Sequence, residues 1–362
     1  MCCYRGLNVF GIWCVTVTHQ AGREIMVSIK NIAEKCGVSI ATVSKALNNH
    51  SDVSEATKKL VCETARELGY FPNSQARALK TNKTFSIGVL FIDKAQSGLK
   101  HSYFSSVLDS FKVEAEKHGY DIMFINTKIG SRSMSYLEHC RYRSFDGVVV
   151  ACVDFCDDDV VELFKSDIPL VAVDYVSENK LAVLSDNVSG IRSIVNYVHE
   201  MGHSKIAYIY GDSSQVTTNR LTSFIDTMHS FGLEVSPDYV KQGKYHDVES
   251  CEKIFSDMLR LYEPPTCILV PDDFAAFGAF RAAAKAGISI PDDISIAGYD
   301  GTYFAQMSKP RLTTVEQDTG SIGSLAADLL IQAIRKEPVD NRKLIVKGTL
   351  LKGETVRNLT AV

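Results

Sequence analysis

Residues 29–48 read IKNIAEKCGVSIATVSKALN, and two short apolar patterns meet there at Gly37. Gly37 can end a first helix in the left-handed conformation at no steric cost, and Ser39 can cap a second helix. This predicts a helix-turn-helix, whose second helix enters the major groove of DNA. A plain hairpin of two helices with a glycine turn is the alternative. The residues with helical spacing on one face are Ile32, Ala33, Cys36, Val38, Val43, Ala46 and Leu47.

The stretch after this pair predicts a third helix, capped by Ser54 and closed by Gly69. Beyond it, Asn73 can cap a further helical piece that is too short to be stable alone in water. We therefore expect a three-helix domain followed by a hinge that folds only against a partner such as DNA. The face of the third helix expected in the core consists of Ala56, Leu60, Ala65 and Leu68.

Charge separates this head from the remainder of the chain. Nine Lys/Arg and five Asp/Glu give residues 26–84 a net charge of +4, and residues 1–25 carry +1, although the whole chain carries −4. A basic head on an acidic body indicates that only the head binds a polyanion. The length of 362 residues suggests two or three domains. No apolar run approaches the roughly 20 residues that span a bilayer.

After Phe85, strand-like and helical patterns alternate, with helical patterns at 104–117, 188–201, 273–286 and 319–334. Continuous apolar strands separated by helices predict parallel sheets covered on both faces. The expected fold is thus an all-α helix-turn-helix head plus an α/β body of two lobes. In such sheets a ligand binds beyond the carboxyl ends of the strands, here in a cleft shared by the lobes. The strand-like runs are SIGVLFI, YDIMFIN, DGVVVAC, PLVAVDY, KIAYIYG, TCILVP and ISIAGYD.

Acidic residues follow three of these strands, namely Asp174, Asp272 and Asp300. Carboxylates accept hydrogen bonds from neighbouring hydroxyls, so a cleft of acids and aromatic rings suits a carbohydrate. Each of these aspartates could instead cap the helix that follows it. Asp273 is expected to be such a cap rather than a ligand-binding residue.

Motifs of catalysis and metal binding do not stand out. The sequence has no P-loop, no GxSxG, no HExxH and no strand-linked GxGxxG motif. Its ten cysteines form no CxxC pair and have no histidine cluster beside them. We therefore expect no enzymatic activity, no metal site and no cofactor, and we expect the cysteines to be free thiols.

The head, together with PDDFAAFGA at 271–279, ISIAGYDG at 294–301 and PRLTTVEQD at 310–318, resembles the lac-repressor (LacI/GalR-type) family of bacterial transcription regulators. The resemblance runs from Met26 to about Gly353. It implies a helix-turn-helix head on a periplasmic-binding-protein-like body with two lobes. It also implies a sequence-specific DNA-binding regulator, more a repressor than an activator, whose operator affinity is controlled by a small ligand.

Such a regulator would act as a homodimer on a roughly palindromic double-stranded operator, in the cytoplasm. The alternative is an extracytoplasmic sugar-binding protein without DNA binding. LNVFGIWCVTV at 7–17 has about the length of the apolar core of a signal peptide. A DNA-binding head, however, would serve no purpose after export.

The resemblance implies roles for the head and hinge. Ile40, Ala41 and Lys45 match base-reading positions, and Leu79 matches a hinge leucine that wedges into the minor groove. Leu79 could instead be an apolar contact between hinge and body. Lysine at 45 lacks the planar fork of the arginine that is more common in the family. The other predicted DNA-binding residues are the phosphate-contacting Thr42, Ser44 and Asn48, together with Ser39, Asn73, Ala76 and Lys80.

The resemblance also implies an effector site. In TTNRLTSF, Thr218 stands where the family has its effector-binding arginine, and Arg220 matches a second arginine. Asp272 replaces an asparagine. A threonine and an added carboxylate argue against an anionic effector such as a sugar phosphate, and favour a neutral or cationic, hydroxyl-rich ligand. Phe104 and Tyr245 could instead be core residues. The predicted effector-binding residues are Tyr103, Phe104, Asp174, Thr218, Tyr245, Asp272, Asp300 and Gln317.

We expect translation to begin at Met26, because the codons of Gly22-Arg23-Glu24 can form a purine-rich run that resembles a ribosome-binding site. We expect an extension at 1–25, disordered or not translated natively, a helix-turn-helix domain at 26–72 and a hinge and linker at 73–84. The two-lobed effector-binding and dimerisation domain follows at 85–353, and a tail at 354–362. Within that domain, lobe 1 is expected at about 85–186 and 317–346, and lobe 2 at about 187–316 and 347–353.

Overall fold

The computed structural model describes residues 27–70, 83–93 and 97–360. The chain divides into two compact units, 1–80 and 81–362. Within the described ranges, no helix combines the length and apolar character that crossing a bilayer requires. The predictions for the extension at 1–25 and for Asn73, Ala76, Leu79 and Lys80 of the hinge fall outside the described residues.

The described part of the head consists of helices α1 (Ile29–Cys36), α2 (Ile40–Leu47) and α3 (Glu55–Glu67). Gly37 ends α1 with φ 69°, in the left-handed region where glycine carries no steric cost. The Ser39 hydroxyl accepts the backbone N–H three residues later and so caps α2. The predicted turn and cap are confirmed, and they bring α1 and α2 together as a helix-turn-helix.

The core of the head differs from the prediction along α3. Ile32, Val43 and Val61 are fully buried, whereas Leu60 keeps 47% of its surface exposed and Ala56 is also exposed. Neighbouring residues of a helix point about 100° apart, so Leu60 and Val61 cannot both face the core. Val61 does so because it shares a face with the apolar or small residues three, four and seven positions later. The predicted core positions of Leu60 and Ala56 are therefore wrong.

The body alternates strands and helices and contains parallel sheets, which confirms the predicted α/β class. Its described strands are β1 (Ser86–Phe91), β2 (Asp121–Phe124), β3 (Lys128–Ile129), β4 (Arg132–Ser133), β5 (Gly147–Ala151), β6 (Leu170–Val173), β7 (Leu181–Ser185), β8 (Ile206–Tyr210), β9 (Val240–Gln242), β10 (Cys267–Leu269), β11 (Ser295–Ala297), β12 (Thr314–Glu316), β13 (Lys343–Val346) and β14 (Thr349–Leu351). Its described α-helices are α4 (Ser102–Lys117), α5 (Tyr136–Arg143), α6 (Asp158–Lys165), α7 (Asn187–Glu200), α8 (Gln215–Ser230), α9 (Val248–Met258), α10 (Ala276–Ala286), α11 (Tyr303–Met307) and α12 (Thr319–Arg335).

Lobe 1 is built on a parallel sheet with the strand order β13-β7-β6-β5-β1-β2. Val89, Val149 and Val171 lie side by side on three neighbouring strands and are buried under α4 and α12. The alternate residues of the same strands, such as Leu90 and Val150, are buried under α5 and α6. Burial on both faces explains why these strands read as continuous apolar runs in the sequence.

Lobe 2 is built on a smaller parallel sheet with the order β11-β10-β8-β9. Ala207, Ile268 and Ile296 are neighbours across three strands and pack under α9 and α10. Tyr208 and Leu269 face the other way, toward α7 and α8. Each lobe is thus a three-layer sandwich whose strands end at the same side of the sheet.

The chain passes between the lobes three times, after β7, after β12 and after β13. At the crossings β12 and β14 pair in antiparallel fashion, with Val315 opposite Leu350. Residues 354–360 belong to lobe 2, which differs from the predicted tail. Thr355 is fully buried, its hydroxyl donates to the Ile296 C=O (2.7 Å), and its C=O accepts the Ile296 N–H (3.0 Å). These bonds satisfy main-chain groups of β11 that would otherwise be unpaired.

Candidate functional site

A cavity of about 190 Å³ lies between the two lobes of the body. Five acids of the described part of the chain line it, and each follows a parallel strand: Asp93 after β1, Asp174 after β6, Asp212 after β8, Asp272 after β10 and Asp300 after β11. This is the edge where open parallel sheets bind ligands. The cavity is smaller than the roughly 300–1,000 Å³ of drug-sized pockets, so it suits a single-ring molecule.

The structure brings most of the predicted effector residues together at this cavity. Thr218 is the exception. The predicted residues that line the cavity are Tyr103, Phe104, Asp174, Tyr245, Asp272, Asp300 and Gln317.

Thr218 lies outside the lining, and Arg220 takes its place. The Thr218 hydroxyl is on the exposed side of α8 and donates to the Ser214 C=O one turn earlier (3.0 Å). The Arg220 guanidinium is buried, donates through Nε to Asn187 Oδ1 (2.6 Å), and lies 3.6 Å from the centre of the Tyr299 ring. Residues two apart on a helix point about 200° apart, so only one of the two faces the cavity. The position predicted for Thr218 is wrong, and the cavity contains a guanidinium.

Asp174 and Tyr103 form a hydrogen-bonded pair in lobe 1. The Tyr103 hydroxyl donates to Asp174 Oδ2 (2.7 Å), and the Ser185 N–H donates to Asp174 Oδ1 (2.7 Å). Burial, reinforced by the charge of Asp174, raises the pKa of the Tyr103 phenol well above its ordinary value, so the hydroxyl stays protonated. Both Asp174 oxygens are occupied by protein donors. Asp174 therefore positions Tyr103 and offers a ligand only its remaining lone pairs.

Asp300 and Gln317 meet at the floor of the cleft, where Gln317 Nε2 donates to Asp300 Oδ1 (2.7 Å). Burial raises the pKa of Asp300 well above its usual range, while the nearby charge of Arg220 acts to lower it. Gln317 Oε1 is buried and has no hydrogen-bond partner among the residues that the structure describes. An unpaired buried acceptor is costly, so a ligand that donates to Gln317 Oε1 gains free energy from the contact.

Asp272, which lines the cavity as predicted, also takes the helix-capping role that was expected of Asp273. Asp272 Oδ1 accepts the N–H of Ala275 (2.7 Å) and so caps the turn that leads into α10. Asp273 accepts the N–H of Thr302 (2.7 Å) and the hydroxyl of Thr314 (2.6 Å), which ties the crossing strand β12 to lobe 2. Burial raises the pKa of Asp273 to about 7. The prediction that Asp273 is the helix cap is therefore wrong.

Aromatic rings close one side of the cleft. The rings of His101 in lobe 1 and His246 in lobe 2 stack with their centres 4.5 Å apart, and His246 stacks in turn on Phe274 at 3.9 Å. Burial and, next, the charge of His246 lower the pKa of His101, which favours its neutral form. His101 Nδ1 is buried, finds no hydrogen-bond partner within the described ranges, and is a second polar atom to which a ligand can bind.

Several residues that line the cavity were not predicted from the sequence. Asp93 and Asp212 follow β1 and β8, so the rule that identified Asp174 would have found them too. Cys152 and Phe155 lie in the irregular segment after β5, where no periodic pattern points to a cleft.

The second candidate site is the outer face of α2 in the head. Ile40 keeps 53% of its surface exposed, and Ala41 is exposed beside it. Lys45 lies one turn further along and forms an ion pair with Asp52. At the end of α2, the Asn48 side-chain amide donates to a backbone carbonyl one turn earlier (2.7 Å). An apolar side chain that is exposed at the start of such a helix is suited to contact base edges in a groove.

A group of potential metal ligands lies elsewhere, on the surface of lobe 1. Glu114, His118 and Asp328 bring ligand atoms within 4.8 Å of one another. His118 Nε2 lies 3.2 Å from Asp328 Oδ1, and the Arg335 guanidinium lies 3.4 Å from His118 Nδ1. The positive charge of Arg335 beside these side chains opposes the binding of a metal cation.

Comparisons with known proteins match both parts of the chain. The pattern of the family described as bacterial regulatory proteins, lacI family, matches residues 28–73, and that of the periplasmic binding protein-like domain matches residues 195–356. The HTH-type transcriptional repressor PurR of Pasteurella multocida is 30% identical over 339 residues, 92% of this chain and 99% of that protein. The probable HTH-type transcriptional repressor ExuR of Bacillus subtilis is also 30% identical over 339 residues, 92% of this chain and 100% of that protein. A solved structure of the lac repressor dimer bound to operator and the anti-inducer ONPF superposes with a TM-score of 0.76 at 27% identity, and covers 91% of this chain and 99% of that one.

Proposed function

This chain belongs to the lacI family of bacterial regulatory proteins and is a DNA-binding transcription regulator, and from that premise we propose that it represses its target genes as a homodimer on a roughly palindromic operator, under the control of one small ligand. The observation that carries the proposal is that one chain joins an exposed recognition helix to a cavity lined by two lobes. A ligand that binds one lobe arrangement better than another shifts the population of that arrangement, and so changes operator affinity.

For DNA binding, we assign base reading to Ile40, Ala41 and Lys45. Contacts to the DNA backbone, which position the protein along the duplex, are assigned to Thr42, Ser44, Asn48 and Ser39. The exposure of Ile40 and Ala41 supports this assignment. Leu79 is proposed as the hinge wedge on the family resemblance alone. We propose the cytoplasm as the site of action, which a DNA-binding function supports.

On the ligand side, the effector is a neutral or cationic, hydroxyl-rich molecule with a single ring, such as a monosaccharide. Among the described residues, four aspartates besides the buried Asp300 line the cavity against one guanidinium, that of Arg220, so this part of the lining disfavours an anion. Gln317 Oε1 supports a ligand with hydrogen-bond donors, since it is buried and no described residue donates to it. The lac repressor structure, solved with operator and an anti-inducer, supports the coupling of ligand and DNA in one relative.

For the homodimer we propose that part of the interface is an apolar patch on lobe 2 formed by Phe277, Tyr303, Phe304 and Met307. These residues keep 36 to 74% of their surface exposed, and the Phe277 and Phe304 rings lie 6.0 Å apart. Contiguous exposed apolar patches mark interaction sites. Met307→Glu should raise the dimer dissociation constant, as measured by sedimentation equilibrium. An unchanged constant would remove the patch from the interface.

The DNA-binding part is tested by selection from a pool of random duplexes with the purified protein. We expect a roughly palindromic sequence to be enriched and its retention to fall steeply with salt, since phosphate contacts release counterions. Retention that depends on neither sequence nor salt would contradict the proposal.

The ligand part is tested by a thermal-shift screen of sugars, each in neutral and phosphorylated form, because a ligand that binds only the folded state raises its stability. We expect neutral compounds to stabilise the protein and to change operator retention. A phosphorylated sugar that binds tightly while its neutral parent does not would overturn the assignment.

A further inference from the structure

Lys45, one of the proposed base-reading residues, forms an ion pair with Asp52. Its Nζ donates to Asp52 Oδ2, and each of the two side chains keeps about half of its surface exposed. The hydrogen bond from Lys45, and after it the charge of Lys45, lower the pKa of Asp52, although partial burial acts to raise it. The ion pair places a donor and an acceptor next to each other on the exposed surface of the head.

The position of Asp52 is set by the backbone that ends α2. Asn49 adopts φ 56°, and the His50 N–H donates to the Lys45 C=O (3.0 Å), as in the Schellman arrangement that closes helices. The next anchor is Val53, which is buried in the core of the head. Because the chain is held on both sides of Asp52, its carboxylate is kept against Lys45 without help from a ligand.

We propose that Lys45 and Asp52 together read one G·C base pair, with the ammonium donating to guanine and the carboxylate accepting from cytosine. In the major groove guanine presents the acceptors O6 and N7, and its partner cytosine presents the N4 amino donor. A lysine alone is a flexible point charge that discriminates poorly. Asp52 holds the ammonium in one direction and adds the acceptor that a single lysine lacks. The inference rests on the proposed function, which places Lys45 on the reading face.

The same pair lowers affinity for DNA of the wrong sequence. The Asp52 carboxylate partly neutralises Lys45 and repels phosphates, so sequence-independent attraction is weaker than it would be for a free lysine. At a matching G·C pair both side chains gain hydrogen bonds. At another base pair, the Asp52 carboxylate faces an acceptor of the base or the Lys45 ammonium faces a donor. Specificity depends on the ratio of these two affinities, and Asp52 acts on both.

The experiment compares the full-length protein with Asp52→Ala, Lys45→Ala, the double variant and Glu67→Ala. Glu67 is the matched control, because its carboxylate also forms an exposed ion pair within the head, with Lys35 (2.8 Å), and its removal changes the net charge equally. Random-duplex selection with the wild type first defines the site. Affinities are then measured at one salt concentration for that site, for each single-base-pair change in it and for an unrelated duplex.

We expect Asp52→Ala to lose about 5- to 150-fold of discrimination at one G·C pair and to gain affinity for the unrelated duplex. Lys45→Ala should lose discrimination at the same pair, and the double variant should lose less than the sum of the two, as groups that act together do. Glu67→Ala should keep the wild-type preference.

An Asp52→Ala variant with wild-type discrimination, or a Glu67→Ala variant that loses as much, overturns the inference. A wild-type protein that selects no sequence overturns the proposed function itself, which is a different result. Melting temperatures identify misfolding, since loss of an exposed ion pair changes stability little. If Asp52→Ala does not fold, Asp52→Ser takes its place.

Discussion

The side-chain amide of Gln215 pairs with both main-chain groups of Val176: Gln215 Oε1 accepts the Val176 N–H at 2.9 Å, and Gln215 Nε2 donates to the Val176 C=O at 3.1 Å. Gln215 begins α8 in lobe 2, and Val176 follows β6 in lobe 1. This pair, with the stacked rings of His101 and His246, ties the lobes together beside the cavity. Both contacts exist only while the lobes keep this arrangement.

Gln215→Ala should weaken the arrangement of the lobes seen here without touching the ligand. Loss of two partly exposed hydrogen bonds costs about 1 kcal/mol, so affinity for the best ligand of the sugar screen should fall about fivefold in calorimetric titration. Ligand-free small-angle scattering should show a larger radius of gyration. Thr218→Ala is the matched control on α8, and an equal loss in both variants would contradict a role for the pair.

Arg220 rather than Thr218 should determine ligand affinity. Arg220→Lys keeps the charge but loses the bond from Nε to Asn187 and the stacking on Tyr299, so ligand affinity should fall at least tenfold. Thr218→Ala removes only a hydroxyl that bonds to its own helix, and affinity should stay within about twofold. Calorimetric titration of both variants decides between them. A larger loss in Thr218→Ala would show that the assignment is reversed.

Asp300→Ala should separate the two functions of the protein. Asp300 contacts Gln317 in the cavity and belongs to the body, so operator affinity without ligand should stay within about threefold of the wild type. The change of operator affinity on adding ligand should disappear. Retention of labelled operator with and without ligand measures both. A normal ligand response would remove Asp300 from the site.

Asp273 should make stability depend on pH. Its pKa is about 7 in the folded protein, against 3.8 in an ordinary environment, so the folded state binds the extra proton between these values. The stabilising contribution of this proton is fully present below pH 4 and is lost as the pH rises through 7. Between pH 4 and 8 the free energy of unfolding of the wild type should fall by up to about 4 kcal/mol relative to Asp273→Asn, as measured by urea unfolding. A constant difference between the two proteins would contradict the raised pKa.

Val61→Ala should destabilise the head, and Leu60→Ala should not. Val61 is fully buried, whereas Leu60, which points about 100° away from it on α3, keeps nearly half of its surface exposed. Removing the two buried methyl groups of Val61 costs about 2 kcal/mol, including the cavity that remains. Hydrogen exchange of the amides of α1 to α3 measures the local opening free energy in the full chain. Equal protection in the two variants would contradict the described core.

The helix-turn-helix and the α/β class were predictable because they follow from local patterns. Gly37, Ser39 and the apolar spacing act over a few residues, and they end and begin helices wherever the chain is placed. Buried parallel strands can likewise be recognised in the sequence as continuous apolar runs. Asp174, Asp272 and Asp300 could be predicted at the cleft for the same reason. Each directly follows a strand, and ligands bind beyond the carboxyl ends of parallel strands.

The errors concern choices that a local pattern leaves open. Leu60 and Val61 both fit an apolar spacing on α3, and only packing against α1 and α2 selects Val61. Thr218 and Arg220 lie on one helix, and the rotation of α8 against its sheet selects the arginine. The order of Asp272 and Asp273 depends on Thr302 and Thr314, which lie 29 and 41 residues after Asp273 and approach it only when lobe 2 is folded.

The sequence by itself determined the head, the alternation of strands and helices and the set of acids near the cleft, because these depend on neighbours along the chain. Only the tertiary structure decided which atoms meet. His101 stacks on His246, Gln215 binds the backbone at Val176, and Gln317 reaches Asp300 from a crossing strand. Such contacts join residues that are distant in sequence, and the direction of each side chain follows from the packing of whole lobes rather than from the residues beside it.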